Sequence, residues 1–116
     1  MIEQLNIKID LPSPADFIPR IISNLKISPF DKSRIEQFSI DFVEELKHKK
    51  ITGRKPIAIA ATVIYIACKK LEIKGISQKS IADTAGVTEV TIRNATRSFE
   101  ELGIVKSEIT RRYKRV

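Results

Sequence analysis

The residues best suited to chemistry lie in one segment, EVTIRNATR, at positions 89–97. Val90, Arg93, Asn94 and Arg97 recur there at spacings of three and four, which places them on one face of a helix. Arginine can donate two hydrogen bonds to guanine, asparagine can pair with adenine, and a small apolar side chain can touch the methyl group of thymine. The pattern is typical of a helix that reads bases in the major groove of DNA.

The sequence before this helix is suited to a tight turn between two helices. Gly86 can adopt the positive φ that a sharp connection requires, and Thr88 is a good N-cap for a helix that begins at Glu89. Ala82, in the preceding short helix, is small enough for the two helices to cross closely. The segment therefore predicts a helix-turn-helix, with helices at about 78–85 and 89–102.

The polar face of the second helix has an alternative interpretation. An ordinary solvated helix would carry similar residues, with Glu89 and Arg93 as an intrahelical ion pair. Helix-turn-helix geometry also occurs in structural and protein-binding settings. The local pattern leaves both interpretations open.

The charge balance of the chain is basic. Its 116 residues include 21 Lys and Arg against 14 Asp and Glu, a net charge of +7. Such a balance favours a polyanionic partner, either nucleic acid or an acidic membrane, although solubility alone would also explain it. The segment KHKKITGRK, at 47–55, is either a solvated loop or a phosphate site at the start of the next helix, where Arg54 and Lys55 would add charge to free amides. The basic ending RRYKRV either adds backbone affinity or is disordered.

Several function classes are excluded by composition. The chain has one histidine, His48, and one cysteine, Cys68, so it cannot assemble a Cys/His metal cluster or a disulfide. It has no glycine-rich phosphate loop, and we assign no catalytic residue and no cofactor. The longest apolar run, at 57–68, is shorter than the roughly 20 residues that a bilayer span needs, and the acidic, polar start does not resemble a signal peptide. We expect an intracellular protein that is neither an enzyme nor a membrane protein.

Apolar periodicity predicts three helices before the helix-turn-helix. The first begins after Ser13, with Pro14 at its first position. The second begins at a cap formed either by Ser28 or by Asp31. The third begins near Pro56 and is apolar on nearly every side, so it must be surrounded by other helices. The apolar positions expected in the core of the first two helices are Phe17, Ile18, Ile21, Ile22, Leu25, Ile35, Phe38, Phe42, Val43 and Leu46.

These elements predict an all-α bundle of about five helices in a single domain. Residues 1–13 are expected to be a linker or N-terminal tail, 14–103 the helical domain and 104–116 a basic C-terminal tail. The buried Cys68 is expected to fill space in the central helix.

Three motifs in this order resemble one known family. PADFIPRIISNL, then GRKPIAIAATVIYIACK, then QKSIADTAGVTEVTIRN are similar to the second cyclin-like repeat of the transcription factor IIB family, especially archaeal transcription factor B. The resemblance covers about residues 12 to 103. It implies a five-helix cyclin-like bundle whose last two helices enter the DNA major groove beside the TATA box.

The resemblance also implies roles for individual residues. Val90 and Arg93 fall where the family reads bases, Thr91 and Arg97 fall where it contacts phosphates, and Arg54 with Lys55 matches its basic turn. The chain departs from the family at Lys55, where serine is usual, and at Ala95 and Thr96, where bulkier residues are more common. The base contacts that we expect are Val90, Arg93 and Asn94. The DNA-backbone contacts that we expect are Arg54, Lys55, Lys79, Thr88, Thr91 and Arg97.

The function implied is that of a DNA-binding domain of a general transcription initiation factor. Its partners would be double-stranded promoter DNA and TATA-binding protein, and RNA polymerase would be reached through other regions of a full factor. We expect a monomer, in the cytoplasm near the nucleoid of an archaeal cell or in a eukaryotic nucleus. Either an excised domain or a naturally shortened paralogue fits the sequence. The alternatives are a cyclin-fold protein-interaction module with a basic surface and a generic helix-turn-helix regulator, although no dimerisation element is visible for the latter.

Overall fold

The regular structure of the chain is entirely helical in the part that the structure describes. The computed structural model describes residues 13–47 and 54–101. In these two ranges the chain forms five helices and no strand: α1 (Pro14–Ser23), α2 (Pro29–Lys47), α3 (Pro56–Lys70), α4 (Gln78–Ala85) and α5 (Glu89–Glu101). The predicted all-α bundle is confirmed. None of the described helices is long and apolar enough to cross a bilayer.

The first two helices begin at capping residues read from the sequence. The backbone N–H of Ser13 donates to the carboxylate of Asp16 at 2.9 Å, and Pro14 is the first residue of α1. At the start of α2 the hydroxyl of Ser28 accepts a hydrogen bond from the N–H of Asp31 at 3.2 Å. Ser28, rather than Asp31, is therefore the cap of α2.

Helix α3 is the centre of the bundle. It packs against each of the other four helices, and its residues from Ala58 to Cys68 are buried except Tyr65, which is partly exposed. Four alanines in this helix let the neighbouring backbones approach closely. The hydroxyl of Thr62 donates to the carbonyl of Ala58 at 2.8 Å, so this buried polar group is satisfied inside its own helix.

Aromatic side chains join the helices around α3. The Phe38 and Phe42 rings of α2 have centroids 5.9 Å apart, and the Phe42 ring lies 6.3 Å from that of Phe99 in α5. All three rings are fully buried. The core positions predicted in α1 and α2 are buried with one exception. Phe17 is only half-buried, and the Arg20 guanidinium lies 5.7 Å from its ring centroid, so Phe17 borders the core instead of filling it.

Candidate nucleic-acid interface

The turn between α4 and α5 fixes the direction in which α5 leaves the bundle. Gly86 has φ of +79° and ends α4 in the left-handed conformation. The N–H groups of Gly86 and Val87 both donate to the carbonyl of Ala82, at 2.8 and 3.0 Å. The hydroxyl of Thr88 then accepts from the N–H of Thr91 at 3.1 Å, so α5 begins at Glu89 as predicted. These two helices form a helix-turn-helix.

Helix α5 has one buried face and one exposed face. Ile92, Ala95 and Phe99 are fully buried against the bundle. On the other side Val90 is 55% exposed, an unusual position for an apolar side chain, and three polar residues beside it are exposed too. These are Arg93, Asn94 and Arg97. The structure thus gathers the three predicted base contacts on one open helix face.

Arg93 is linked to α4 rather than to its own helix. Its guanidinium donates to the side-chain oxygen of Gln78 at 3.4 Å. Between Glu89 and Arg93, both of which the structure describes, no ion pair within 4 Å is present. The intrahelical pair that would have favoured an ordinary solvated face is therefore not formed.

The basic residues at the start of α3 lie beside α5. The Arg54 guanidinium donates to the Ser98 hydroxyl at 2.9 Å, a partly buried contact between residues 44 positions apart. The neighbouring Lys55 is exposed and is the N-cap of α3, where no side chain caps the first amides. These free amides sit at the positive end of the helix dipole. Residues 48–53 of the basic segment lie outside the described residues.

The remaining predicted backbone contacts lie on α4 and at the start of α5. Lys79 forms an exposed i,i+4 ion pair with Asp83 at 3.5 Å, which contributes little to stability and can be exchanged for another anion. The hydroxyls of Thr88 and Thr91 are 2.9 Å apart. Thr88 is exposed and Thr91 is partly exposed. The predicted basic tail at 104–116 falls beyond the described residues.

Two polar partners of the arginines were missed by sequence reasoning. Gln78 follows Ser77, whose hydroxyl accepts from the N–H of Ser80 at 3.0 Å and so caps α4. This cap is a local signal that places Gln78 at the start of α4. Nothing local identifies Ser98 as the partner of Arg54, because that contact depends on how α3 packs against α5.

Other chemistry has little support in the described ranges. Among the residues 13–47 and 54–101, no group of three or more His, Cys, Asp or Glu could hold a metal ion. Burial, with a smaller effect from the negative charge of Asp31, raises the pKa of the Cys68 thiol to about 12, so this thiol is not activated.

Comparison with known proteins assigns the family. The sequence profile of the transcription factor TFIIB repeat matches residues 7–102. The chain is 38% identical over 99 residues to a transcription initiation factor IIB of Methanococcus maripaludis, covering 84% of this chain and 28% of that relative. It is also 38% identical over 106 residues to the factor of Methanosarcina mazei, and 36% identical over 103 residues to that of Archaeoglobus fulgidus. These two matches cover 87% of this chain and 29% and 30% of the relatives.

The class that the fold and the matches define is a helical repeat of the kind found in transcription initiation factors IIB. The chain belongs to the TFIIB family, and its five-helix cyclin-like fold agrees with that assignment. It spans less than a third of the length of the relatives named above. The resemblance read from the three sequence motifs is therefore confirmed.

Proposed function

We propose that this chain reads promoter DNA upstream of the TATA box, in a complex with TATA-binding protein, as the second repeat of an initiation factor. The observation that carries the proposal is the exposed face of α5, the second helix of a helix-turn-helix in a TFIIB-family repeat. Its first two turns present an apolar side chain, an arginine and an asparagine to solvent. A recognition helix uses that part of its length to reach base edges.

Each residue on this face has a distinct role in the proposal. Arg93 donates to guanine, Asn94 pairs with adenine and Val90 contacts a thymine methyl group. Reading in this way requires that Arg93 leave Gln78, and their bond of 3.4 Å between exposed groups is weak enough for the exchange.

The surrounding cations hold the duplex in register. Lys55 and the free amides of α3 offer a phosphate site at one end of that helix. Arg54 contributes charge there while its bond to Ser98 ties the site to α5. Thr88, Thr91, Lys79 and Arg97 supply further hydrogen bonds and charge to the DNA backbone. Contact with RNA polymerase is assigned to other regions of a full factor.

Replacing Arg93 tests the base-reading role. We expect Arg93→Ala to lose about 1 to 3 kcal/mol of discrimination between the preferred flank and one with the contacted guanine replaced. The measurement is fluorescence anisotropy of both labelled duplexes with the full 116-residue chain.

Arg20→Ala is the matched control for this variant, because it removes the same charge from an exposed position on α1. The Arg20→Ala substitution should weaken binding to both duplexes slightly and by the same factor. Undiminished discrimination by the Arg93→Ala variant would contradict the assigned role.

One observation favours a protein-interaction function as the second candidate. Phe30, at the start of α2, is 71% exposed, and the Arg34 guanidinium lies 5.5 Å from its ring centroid. Phenylalanine and arginine are both enriched at the centres of protein interfaces. Two results together would favour this candidate: the wild-type chain binds no DNA duplex, and the Phe30→Ala substitution abolishes binding to a protein partner.

A further inference from the structure

A second basic surface lies where α3, α4 and α5 meet. It is an open groove of about 250 Å³ beside the exposed face of α5. Its lining includes Tyr65 and Lys69 from α3, Gln78 from α4, and Arg93 and Arg97 from α5. The base-reading residue Arg93 therefore borders the groove, while Lys69 and Tyr65 belong to a helix outside the helix-turn-helix.

The groove has the charge of an anion site. Three cationic side chains line it, against the single carboxylate of Glu100. The Lys69 ammonium lies 5.5 Å from the Tyr65 ring centroid, an arrangement that supports its aliphatic stem while its N–H groups stay exposed. The amide of Gln78 adds a neutral hydrogen-bond donor. These groups suit a singly charged oxygen ligand such as a phosphodiester.

Thr96 of α5 also lines the groove. The Thr96 hydroxyl donates to the carbonyl of Ile92 in its own helix at 2.8 Å. Thr96 also lines a smaller cavity of about 120 Å³ with Lys69 and Lys70. The groove and this smaller cavity share Lys69, Thr96 and Glu100 in their linings.

The two ends of α3 reach opposite flanks of α5. Arg54, before the first turn of α3, contacts Ser98, whereas Lys69, in its last turn, lines the groove with Thr96 and Glu100. Residues two positions apart on an α-helix point roughly 200° away from each other. Ser98 therefore faces the opposite flank of α5 from Thr96 and Glu100. The proposed base-reading face lies between these flanks.

A helix in the major groove has a sugar-phosphate backbone on each side, because the groove is only about 12 Å wide. We propose that the Lys69 groove seats a phosphodiester of one strand while the Arg54 and Lys55 end of α3 contacts the other strand. This inference rests on the proposed function, since it assumes that α5 enters the duplex. In this arrangement Lys69 contacts the DNA backbone directly. Helix α3 acts as a brace, because its two ends contact the two strands that border the major groove.

The first test compares Lys69→Gln with Lys26→Gln across a salt series. Both variants remove one exposed lysine, but Lys26 lies beside α1 and α4, away from the groove. Losing one phosphate contact should reduce the slope of log affinity against log salt by about 0.9 and weaken binding roughly three- to tenfold at 0.1 M salt. Lys69→Gln should show this loss equally on preferred and altered flanks. A Lys69→Gln variant that matched Lys26→Gln would overturn the proposal.

The second test locates the contact on the DNA. Single neutral methylphosphonates are placed at each backbone position of both strands, and binding is measured for wild type, Lys69→Gln and Lys55→Gln. We expect one backbone position at which the methylphosphonate weakens binding of wild type but does not weaken binding of the Lys69→Gln variant any further. A second position, on the other strand, should behave in the same way for Lys55→Gln. If no such position exists for Lys69→Gln, or if both positions lie on the same strand, the proposal that α3 contacts both strands is overturned.

The outcomes separate this inference from the proposed function. In one outcome, wild type binds every flank with equal affinity and still shows the methylphosphonate position that depends on Lys69. That result would contradict promoter reading and support a phosphodiester in the groove. Flank-selective binding without a Lys69 effect would contradict the groove alone. Inorganic phosphate that binds wild type but not Lys69→Gln, with duplex affinity unchanged, would assign the groove to a free anion and overturn the proposal.

Discussion

Arg54 and Arg93 differ in burial and in the strength of their hydrogen bonds. Arg54 is partly buried and makes a short bond of 2.9 Å to Ser98, so part of its contribution is to fix α3 against α5. Arg93 is exposed and makes a long bond of 3.4 Å to Gln78, so little is lost when it turns to another acceptor. This difference explains why we assign base reading to Arg93 and a mixed structural and electrostatic role to Arg54.

Cys68 provides a prediction about reactivity and pH. The residue is 4% exposed, and burial, aided by the charge of Asp31, raises the pKa of its thiol from 9.0 to about 12. Because the folded chain holds this proton more tightly, the thiol favours the folded state below pH 9, and that contribution is lost as pH rises from about 9 to about 12. We expect a thiol-specific reagent at pH 8 to label the folded chain far more slowly than the chain in denaturant. Equal labelling rates would contradict the burial of Cys68.

Among the elements, the α4–α5 turn carries the sharpest prediction for stability. An added Cβ at Gly86 would meet no atom within 4 Å, so only the φ of +79° opposes a larger residue. We expect Gly86→Ala to lower the free energy of unfolding by about 1 to 2 kcal/mol. For a domain of this size the melting temperature should fall by roughly 4 to 8 °C per kcal/mol.

Gly75→Ala is the matched comparison for the turn variant. Gly75 has φ of +85° and equally open surroundings, but lies in the connection between α3 and α4. It should cost a similar amount of stability by the same mechanism. An unchanged melting temperature for Gly86→Ala would contradict the left-handed cap of α4.

The sequence predicted those elements whose signals are local. Ser13 and Pro14 marked the start of α1, Gly86 and Thr88 marked the turn, and the continuous apolar run marked α3 as central. Phe17 was predicted in the core and borders it, because periodicity gives a direction on a helix and not the depth of burial.

The candidate site was predictable only in part. The exposed face of α5 followed from spacing within a single helix. The contacts of Arg54 with Ser98 and of Arg93 with Gln78 join residues 44 and 15 positions apart, and the groove beside Lys69 is built from three helices. Such features depend on the packing of helices, which no local pattern encodes.

Basic side chains from several helices surround the helix-turn-helix. The net charge of +7 includes cations at both ends of α3, on α4 and on α5. A surface of this sign attracts any duplex and makes its affinity fall steeply with salt. In the proposed function, selectivity comes from the few side chains on the exposed face of α5, and TATA-binding protein holds the DNA in place.

Whether this chain reads promoter DNA can be decided by fluorescence anisotropy of a labelled duplex that contains a TATA box and a varied upstream flank. Binding is measured across a salt series, with and without TATA-binding protein. If α5 reads the promoter, the affinity depends on the sequence of the flank, falls with salt and increases when TATA-binding protein is present. Equal affinity for every flank, or no effect of TATA-binding protein, would contradict promoter reading by α5.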